Sequence, residues 1–170
     1  MRTKEDVVTR TTVPGDLAAA VDVWRAANIE RGKSPNQIRI VRVRTKLTDP
    51  AALAVVVVTA AEPATHLGMA LAEPGRADDG FGVPVPELCH ISMVFVHPEH
   101  WGRGIGHLLL DHVAALAWNR GHTRLQLWTG QSNHRAQRLY LHAGFVLTGR
   151  TKHLDGGELV RQLARDMRAG

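Results

Sequence analysis

The sequence has little of several features that mark specialised protein classes. Cys89 is its only cysteine, so no disulfide can form within the chain and the reducing cytoplasm is the expected compartment. Aromatic residues make up 5% of the chain, which leaves few stacking surfaces for single-stranded nucleic acid. The longest apolar run, residues 51–61, is much shorter than a membrane-spanning helix, and residues 1–6 lack the apolar stretch of a secretion signal. We therefore expect no membrane partner.

The residues that are present fit one globular domain covering residues 1–170. Hydrophobic residues make up 44% and charged residues 22%, which is ordinary globular composition, and we find neither an internal repeat nor a linker. Lysine and arginine total 21 against 16 acidic residues, a net charge of +5 that favours an anionic partner. Nucleic acid and a phosphorylated cofactor both meet that description. Since there is no block of basic residues and few aromatics, nucleic acid is the less favoured of the two.

Hydrophobic periodicity predicts a mixed α/β chain. The predicted strands are residues 7–13, 52–59, 65–73, 87–96, 123–129, 145–152 and 159–167. The predicted helices are residues 17–28, 34–47, 105–120 and 133–143. Ser34 as cap and Pro35 in the first turn would begin the second helix, and Asp16 would cap the first. Three prolines and three glycines predict an irregular loop over residues 74–86.

A glycine-rich stretch follows the predicted strand that ends at Val96. Gly102, Gly104 and Gly106 span the junction with a strong amphipathic helix that begins at Ile105. Glycines allow the backbone to approach a ligand, and the amide groups at a helix N-terminus bind phosphate oxygens. Neither the Walker A loop nor the dinucleotide fingerprint fits this spacing. By itself the stretch could equally be a turn that only joins strand to helix.

A second motif distinguishes the two interpretations. Asn133, Ala136 and Tyr140 lie at helical spacing and are followed by Gly144 and Phe145. With the glycine stretch, this pattern resembles the GNAT superfamily of acyl-CoA-dependent N-acetyltransferases over about residues 87–150. The family's pyrophosphate motif, Gln/Arg-x-x-Gly-x-Gly/Ala, reads Trp-Gly-Arg-Gly-Ile-Gly over residues 101–106. Tryptophan departs from the first position, so a side-chain phosphate contact there is lost or moves to Arg103.

The resemblance implies a fold and a cofactor site. The fold would be an α/β GNAT fold, a twisted mixed sheet of six or seven strands with about four helices, in which strand 91–96 splays from strand 125–129 to hold acetyl-CoA. Backbone groups of Val94 and Val96 would bind pantetheine, and an N–H near Phe95 would polarise the acetyl carbonyl. Asn133 would contact the pantetheine. The pyrophosphate would be held by the backbone of Gly102, Arg103, Gly104, Ile105, Gly106 and His107.

The chemistry implied is direct attack of an amine on the thioester. Tyr140 would protonate the departing thiolate of CoA. The amine must lose a proton before or during the attack, and His90 is the first candidate base because an unperturbed histidine has a pKa of about 6.5. Glu87 and Glu73 are alternatives acting through water. Each residue also has a structural interpretation: a histidine satisfied within its strand, a core tyrosine, and Asn133 as a helix cap.

Other chemistries find little support in the sequence. Ten histidines invite a metal site, but the spacing of His107 and His112 does not suit a helical zinc pair and no His-Glu-x-x-His motif occurs, so we expect no metal. No Gly-x-Ser-x-Gly elbow of a serine hydrolase is present. The acceptor is expected to be a small amine. A protein lysine or N-terminal amine is the alternative, as is a non-catalytic CoA-binding domain. Family members are often homodimers.

Overall fold

The computed structural model describes residues 6–169, which form seven strands and four α-helices. The strands are β1 Val7–Thr11, β2 Leu53–Thr59, β3 His66–Arg76, β4 Pro84–Val96, β5 Arg124–Gly130, β6 Val146–His153 and β7 Leu159–Asp166. The helices are α1 Leu17–Glu30, α2 Gln37–Leu47, α3 Ile105–Asn119 and α4 His134–His142. The strands form one sheet in the order β1-β2-β3-β4-β5-β7-β6. This confirms the predicted mixed α/β fold. None of the helices in residues 6–169 is both long and apolar enough to cross a membrane.

The chain divides into two compact units. One consists of the chain up to Ala72 together with Met93–Val113, and the other consists of Glu73–Ser92 and the chain from Ala114 onward. The first unit contains β1, β2, α1 and α2, and the second contains β5, α4, β6 and β7. The elements β3, β4 and α3 contribute residues to both units.

The first unit is built around β2, whose residues are all buried. A continuous run of valines has no polar face, so this strand must be covered on both sides. Helices α1 and α2 supply Trp24 and Val43 to a core that also contains Val56 and Met69. The predicted hairpin of β2 and β3 is confirmed by their antiparallel pairing.

The start of α2 differs from the prediction. The helix begins at Gln37, and its cap is Asn36 rather than Ser34. The side-chain oxygen of Asn36 accepts a hydrogen bond from the Arg39 N–H at 2.9 Å. Asparagine and serine are both good N-caps, so the residue type alone does not distinguish Ser34 from Asn36 two positions later.

A buried carboxylate ties together the N-terminal part of the first unit. Asp16 is 3% exposed and accepts two hydrogen bonds from the Arg10 guanidinium, at 2.7 and 2.9 Å. It also accepts one from the Val13 N–H at 2.7 Å and lies 2.7 Å from His66 Nε2. The prediction that Asp16 caps α1 is therefore wrong, since its side chain makes no bond to the amide groups of that helix. The Arg10 hydrogen bonds, aided by the Val13 amide, hold the pKa of Asp16 well below its ordinary value of 3.8 against the opposing effect of burial.

The predicted irregular loop over residues 74–86 is wrong at both ends. Strand β3 continues to Arg76 and β4 begins at Pro84, so only residues 77–83 connect them. The Ala77 N–H donates to the Val83 carbonyl at 2.9 Å, which closes this turn. Pro74 and Pro84 lie at exposed positions within strands. Proline is tolerated there because its missing N–H does not deprive a buried carbonyl of its donor, so these prolines do not mark a loop.

The second unit has its core between β5, β7 and α4. Leu125, Leu127, Leu163 and Phe145 are buried there at 2% exposure or less. Strands β4 and β5 are parallel, and their ladder pairs Leu88–His90 with Arg124–Gln126. On its other edge, β5 pairs antiparallel with β7 over its whole length, from Arg124 to Gly130. Strand β6 carries a bulge between Leu147 and Thr151, where Gly149 has φ +88°.

Gly68 on β3 marks a close approach within the first unit, and its substitution tests that packing. A Cβ at Gly68 would lie 2.8 Å from Ile105 Cγ2 on α3 and 3.2 Å from the Phe95 carbonyl oxygen. We expect Gly68→Ala to lower the free energy of unfolding by about 1–3 kcal/mol through overpacking, measured by urea denaturation. Gly15→Ala is the control, because nothing lies within 4 Å of a Cβ at Gly15. Equal stability of the two variants would contradict this account.

Candidate active site

The glycine stretch forms an exposed loop between β4 and α3. Gly102 and Gly104 have φ of +77° and +80°, and nothing lies within 4 Å of a Cβ placed on either. These residues therefore require glycine for their backbone conformation rather than for close packing. The Trp101 indole N–H donates to the Val96 carbonyl at 2.8 Å, which fastens the loop to the end of β4. Tryptophan at the first motif position thus has a structural contact within the loop.

The amide groups that follow Trp101 point to an anion site. The Leu108 amide donates to the Gly104 carbonyl at 3.3 Å. Within residues 6–169, none of the amides between Trp101 and Leu108 donates to a main-chain carbonyl. The preceding amides, from Gly102 to His107, are the first donors of α3 and its loop, which lack intrahelical partners. Arg103 adds a cation, with Nη1 3.2 Å from His100 Nδ1. The arrangement suits phosphate oxygens.

Three side chains of the same loop approach the geometry of a metal site. The ligand atoms of His97, Glu99 and His100 lie within 4.8 Å of one another. Nδ1 of His97 accepts the Glu99 N–H at 3.3 Å, and Nδ1 of His100 faces Arg103. Nδ1 of each histidine therefore already faces a donor, the Glu99 amide for His97 and the Arg103 guanidinium for His100.

A row of polar side chains crosses the second unit on one face of its strands. On β4, His90 and Ser92 are two residues apart and so share a face. The Ser92 hydroxyl donates to Glu73 Oε2 at 2.5 Å, which places Glu73 on this face as well. On the neighbouring strand β5, Gln126 Nε2 lies 3.4 Å from His90 Nδ1. His90 and the carboxylate of Glu73 therefore lie on the same face.

Glu87 lies elsewhere. It is an odd number of residues from His90 on β4, so the alternation of the strand puts it on the opposite face. Its carboxylate accepts a hydrogen bond from the Thr123 hydroxyl at 3.4 Å and is 3.9 Å from the Arg168 guanidinium. The side chain is 65% exposed. The structure thus places Glu87 and His90, both candidate bases by sequence, on opposite faces of β4.

Tyr140 is buried on α4. Its ring packs edge-to-face against Phe145, with 5.9 Å between ring centroids. The helix is held at its start by Asn133, whose side-chain oxygen accepts the Ala136 N–H at 3.3 Å, as the capping interpretation predicted. The Gln137 side chain also donates to the Gly130 carbonyl at 2.9 Å, fastening α4 to the end of β5. Tyr140 therefore sits on a helix with a fixed position within the second unit.

The amide side chains of the polar face were not predicted from the sequence. Gln162 Nε2 lies 3.5 Å from Gln126 Oε1, and the Thr148 hydroxyl donates to Gln162 Oε1 at 2.9 Å. Gln162 is 4% exposed, which is rare for glutamine. The signal in the sequence was a glutamine beside the buried Leu163, but its partners come from other strands.

On β5, Trp128 has the Lys152 ammonium 4.3 Å above its ring.

Comparison with known proteins identifies the family. The sequence profile of the acetyltransferase (GNAT) family matches residues 21–145, which is most of the chain. The chain belongs to the GNAT family. An uncharacterized N-acetyltransferase from Methanocaldococcus jannaschii is 37% identical over 59 residues, covering 35% of this chain and 26% of the relative. This chain therefore matches about a quarter of that relative's length.

Solved structures show the same GNAT fold. The ribosomal-protein-S18-alanine N-acetyltransferase from Escherichia coli has a TM-score of 0.73 at 19% identity, covering 95% of this chain and 94% of its own. A Salmonella typhimurium protein solved with its cofactor acetyl-CoA has a TM-score of 0.72 at 20% identity, with the same coverage of 95% and 94%. At this level of identity the likeness concerns the fold, and the predicted GNAT fold is confirmed.

Proposed function

We propose that the protein transfers the acetyl group of acetyl-CoA to the primary amine of a small molecule by direct attack. The observation that carries this proposal is the loop with two positive-φ glycines and a row of donor amides at the start of α3. Backbone donors in such a loop suit a diphosphate. The solved relative that binds acetyl-CoA supports the choice of cofactor.

The cofactor would be bound mainly by backbone groups. The amides from Gly102 to His107 would hold the pyrophosphate, with Arg103 as a side-chain cation. Val94 and Val96 would pair with the pantetheine, and the Phe95 amide would stabilise the charge on the acetyl oxygen. Asn133, already the cap of α4, would contact the pantetheine as well.

The reaction needs one proton donor and one proton acceptor. The amine nitrogen forms a bond to the acetyl carbon, the carbon–sulfur bond breaks, and the thiolate takes the Tyr140 hydroxyl proton. The amine loses a proton to a base, for which His90, Glu73 and Glu87 are the candidates. His90 and Glu73 share one face of the second unit, whereas Glu87 lies on the other face and would act only through water.

The acceptor is the second part of the proposal and has its own test. A protein or peptide amine is the alternative, since a protein with this fold is named as a ribosomal-protein-S18-alanine N-acetyltransferase. Thiol release from acetyl-CoA should be followed with a panel of small amines and with peptides bearing a lysine or a free N-terminus. Acetylation of small amines alone supports the proposal, and acetylation of peptides alone replaces its acceptor. Absence of CoA binding in a calorimetric titration would refute the proposal as a whole.

Gly104→Ala tests the phosphate loop directly. Alanine at φ +80° strains the backbone and points a methyl group into the open space above the loop. We expect the Kd for CoA to rise by about 10-fold, or roughly 1.4 kcal/mol. Gly121→Ala is a matched control, because Gly121 has φ +89° and equally open surroundings at the far end of α3. Similar losses in the two variants would show that strain, rather than a ligand contact, is responsible.

A further inference from the structure

The polar face of the second unit contains a chain of hydrogen bonds that runs across four strands. It starts at Thr148 on β6, passes through Gln162 on β7 and Gln126 on β5, and ends at His90 on β4. The heavy-atom distances along it are 2.9, 3.5 and 3.4 Å. All four side chains are buried or half-buried, so water competes poorly for these groups.

The direction of this chain is fixed at its β6 end. The Thr148 hydroxyl oxygen accepts the Arg150 N–H at 3.3 Å, and both oxygens of Gln162 lie within reach of its own hydrogen, Oε1 at 2.9 Å and the main-chain carbonyl at 3.5 Å. This local bond spans the bulge, where Gly149 has φ +88°. Because the Thr148 hydroxyl donates to the Gln162 side chain, the amide of Gln162 must turn its oxygen, and not its NH2 group, toward Thr148.

Each side-chain amide determines the orientation of the next group along the row of hydrogen bonds. With its oxygen toward Thr148, Gln162 presents its NH2 group to Gln126 Oε1. Gln126 then presents its own NH2 group to His90 Nδ1. In a neutral imidazole one nitrogen donates and the other accepts, so an accepting Nδ1 places the ring hydrogen on Nε2.

We propose that Thr148, Gln162 and Gln126 are positioning residues that hold neutral His90 as the tautomer with its hydrogen on Nε2. Nε2 of His90 then carries a hydrogen-bond donor. It has no lone pair on Nε2 with which to remove a proton. Resting on the proposed acetyl transfer, this assigns proton removal to Glu73, the carboxylate on the same face: the proton leaves the amine through a water molecule to the Glu73 carboxylate.

The tautomer can be measured without any substrate. Long-range 1H–15N correlation spectra of 15N-labelled protein distinguish the two ring nitrogens at about pH 9, where unperturbed histidines are neutral. The spectrum of His90→Gln identifies the His90 signals among those of ten histidines. We expect a protonated Nε2 and an accepting Nδ1 in the wild-type protein. A protonated Nδ1 would overturn the proposal.

Variants at the far end test whether the direction is transmitted. Thr148→Val removes the hydroxyl that orients Gln162. Although two glutamine side chains separate this hydroxyl from His90, the fraction of His90 with its hydrogen on Nδ1 should increase. Thr148→Ser keeps the hydroxyl and should restore the wild-type spectrum. Thr151→Val makes the same change at an exposed position of β6 that takes no part in these hydrogen bonds, and it should leave the His90 spectrum unchanged. An unchanged tautomer in folded Thr148→Val protein would overturn the positioning role.

Activity separates a donor from a base at His90. In His90→Gln the side chain keeps an N–H donor but has no basic nitrogen. We expect kcat to fall no more than about 5-fold in His90→Gln and by about 100-fold in Glu73→Gln, the usual scale for a lost general base. The reverse pattern would overturn the assignment. If the protein binds no CoA, the proposed function fails while the tautomer result stands, so the two failures are distinguishable.

Discussion

Tyr140→Phe is expected to lower kcat for acetyl transfer about 100-fold while leaving the Kd for acetyl-CoA within about 2-fold, on the usual scale of general-acid catalysis. The substitution removes only the hydroxyl that would protonate the thiolate of CoA. The ring remains buried against Phe145, so packing is retained. A 100-fold loss corresponds to about 2.7 kcal/mol of transition-state stabilisation. Pre-steady-state thiol release at saturating acetyl-CoA would measure it.

A substitution at the neighbouring ring provides the control. Phe145→Leu disturbs the same edge-to-face contact and leaves a small cavity but keeps the Tyr140 hydroxyl. It should lower the free energy of unfolding by about 1–3 kcal/mol with much less effect on kcat. If Tyr140→Phe retains wild-type turnover, solvent protonates the thiolate and Tyr140 is a core residue. Equal kcat losses in both variants would attribute the effect to packing.

Asp16→Asn is expected to lower the free energy of unfolding by about 3 kcal/mol, within the range for breaking a buried ion pair. The carboxylate is 3% exposed and is the shared partner of Arg10 and His66, so the amide leaves a guanidinium without its counter-charge. The Arg10 side chain is 33% exposed, which reduces the cost from the upper end of that range. Urea denaturation at pH 7 measures the difference.

The same carboxylate makes stability depend on pH. Because folding lowers the pKa of Asp16 below 3.8, its contribution is complete above that value and is lost as the pH falls through 3.8 toward the folded-state pKa. Wild-type protein should therefore lose more stability between about pH 5 and pH 2 than Asp16→Asn does. Asp22→Asn is the control, since its pair with Arg25 is 3.9 Å long and exposed, and should cost less than about 0.5 kcal/mol. Parallel pH profiles for wild type and Asp16→Asn would contradict the assignment.

The parts of the fold that the sequence predicted well are those with local causes. The glycine loop, the strong helix after it and the cap of α4 at Asn133 depend on residues within a few positions of one another. The continuous apolar run of β2 likewise has only one environment that suits it. The prolines at positions 74 and 84 show the limit of such local signals, because each is compatible with both a loop and an exposed strand position.

The sequence by itself therefore determined the family motifs, the order of most elements and the identity of the residues available for chemistry. Only the tertiary structure decided which of them meet: His66 contacts Asp16 across 50 positions of the chain, and His90 is joined to Gln126 and Thr148. It also put Glu73, and not Glu87, on the face of His90. The physical reason is the two-residue period of a strand, in which a shift of one position in register moves every side chain to the other face, and register is set by pairing between distant segments.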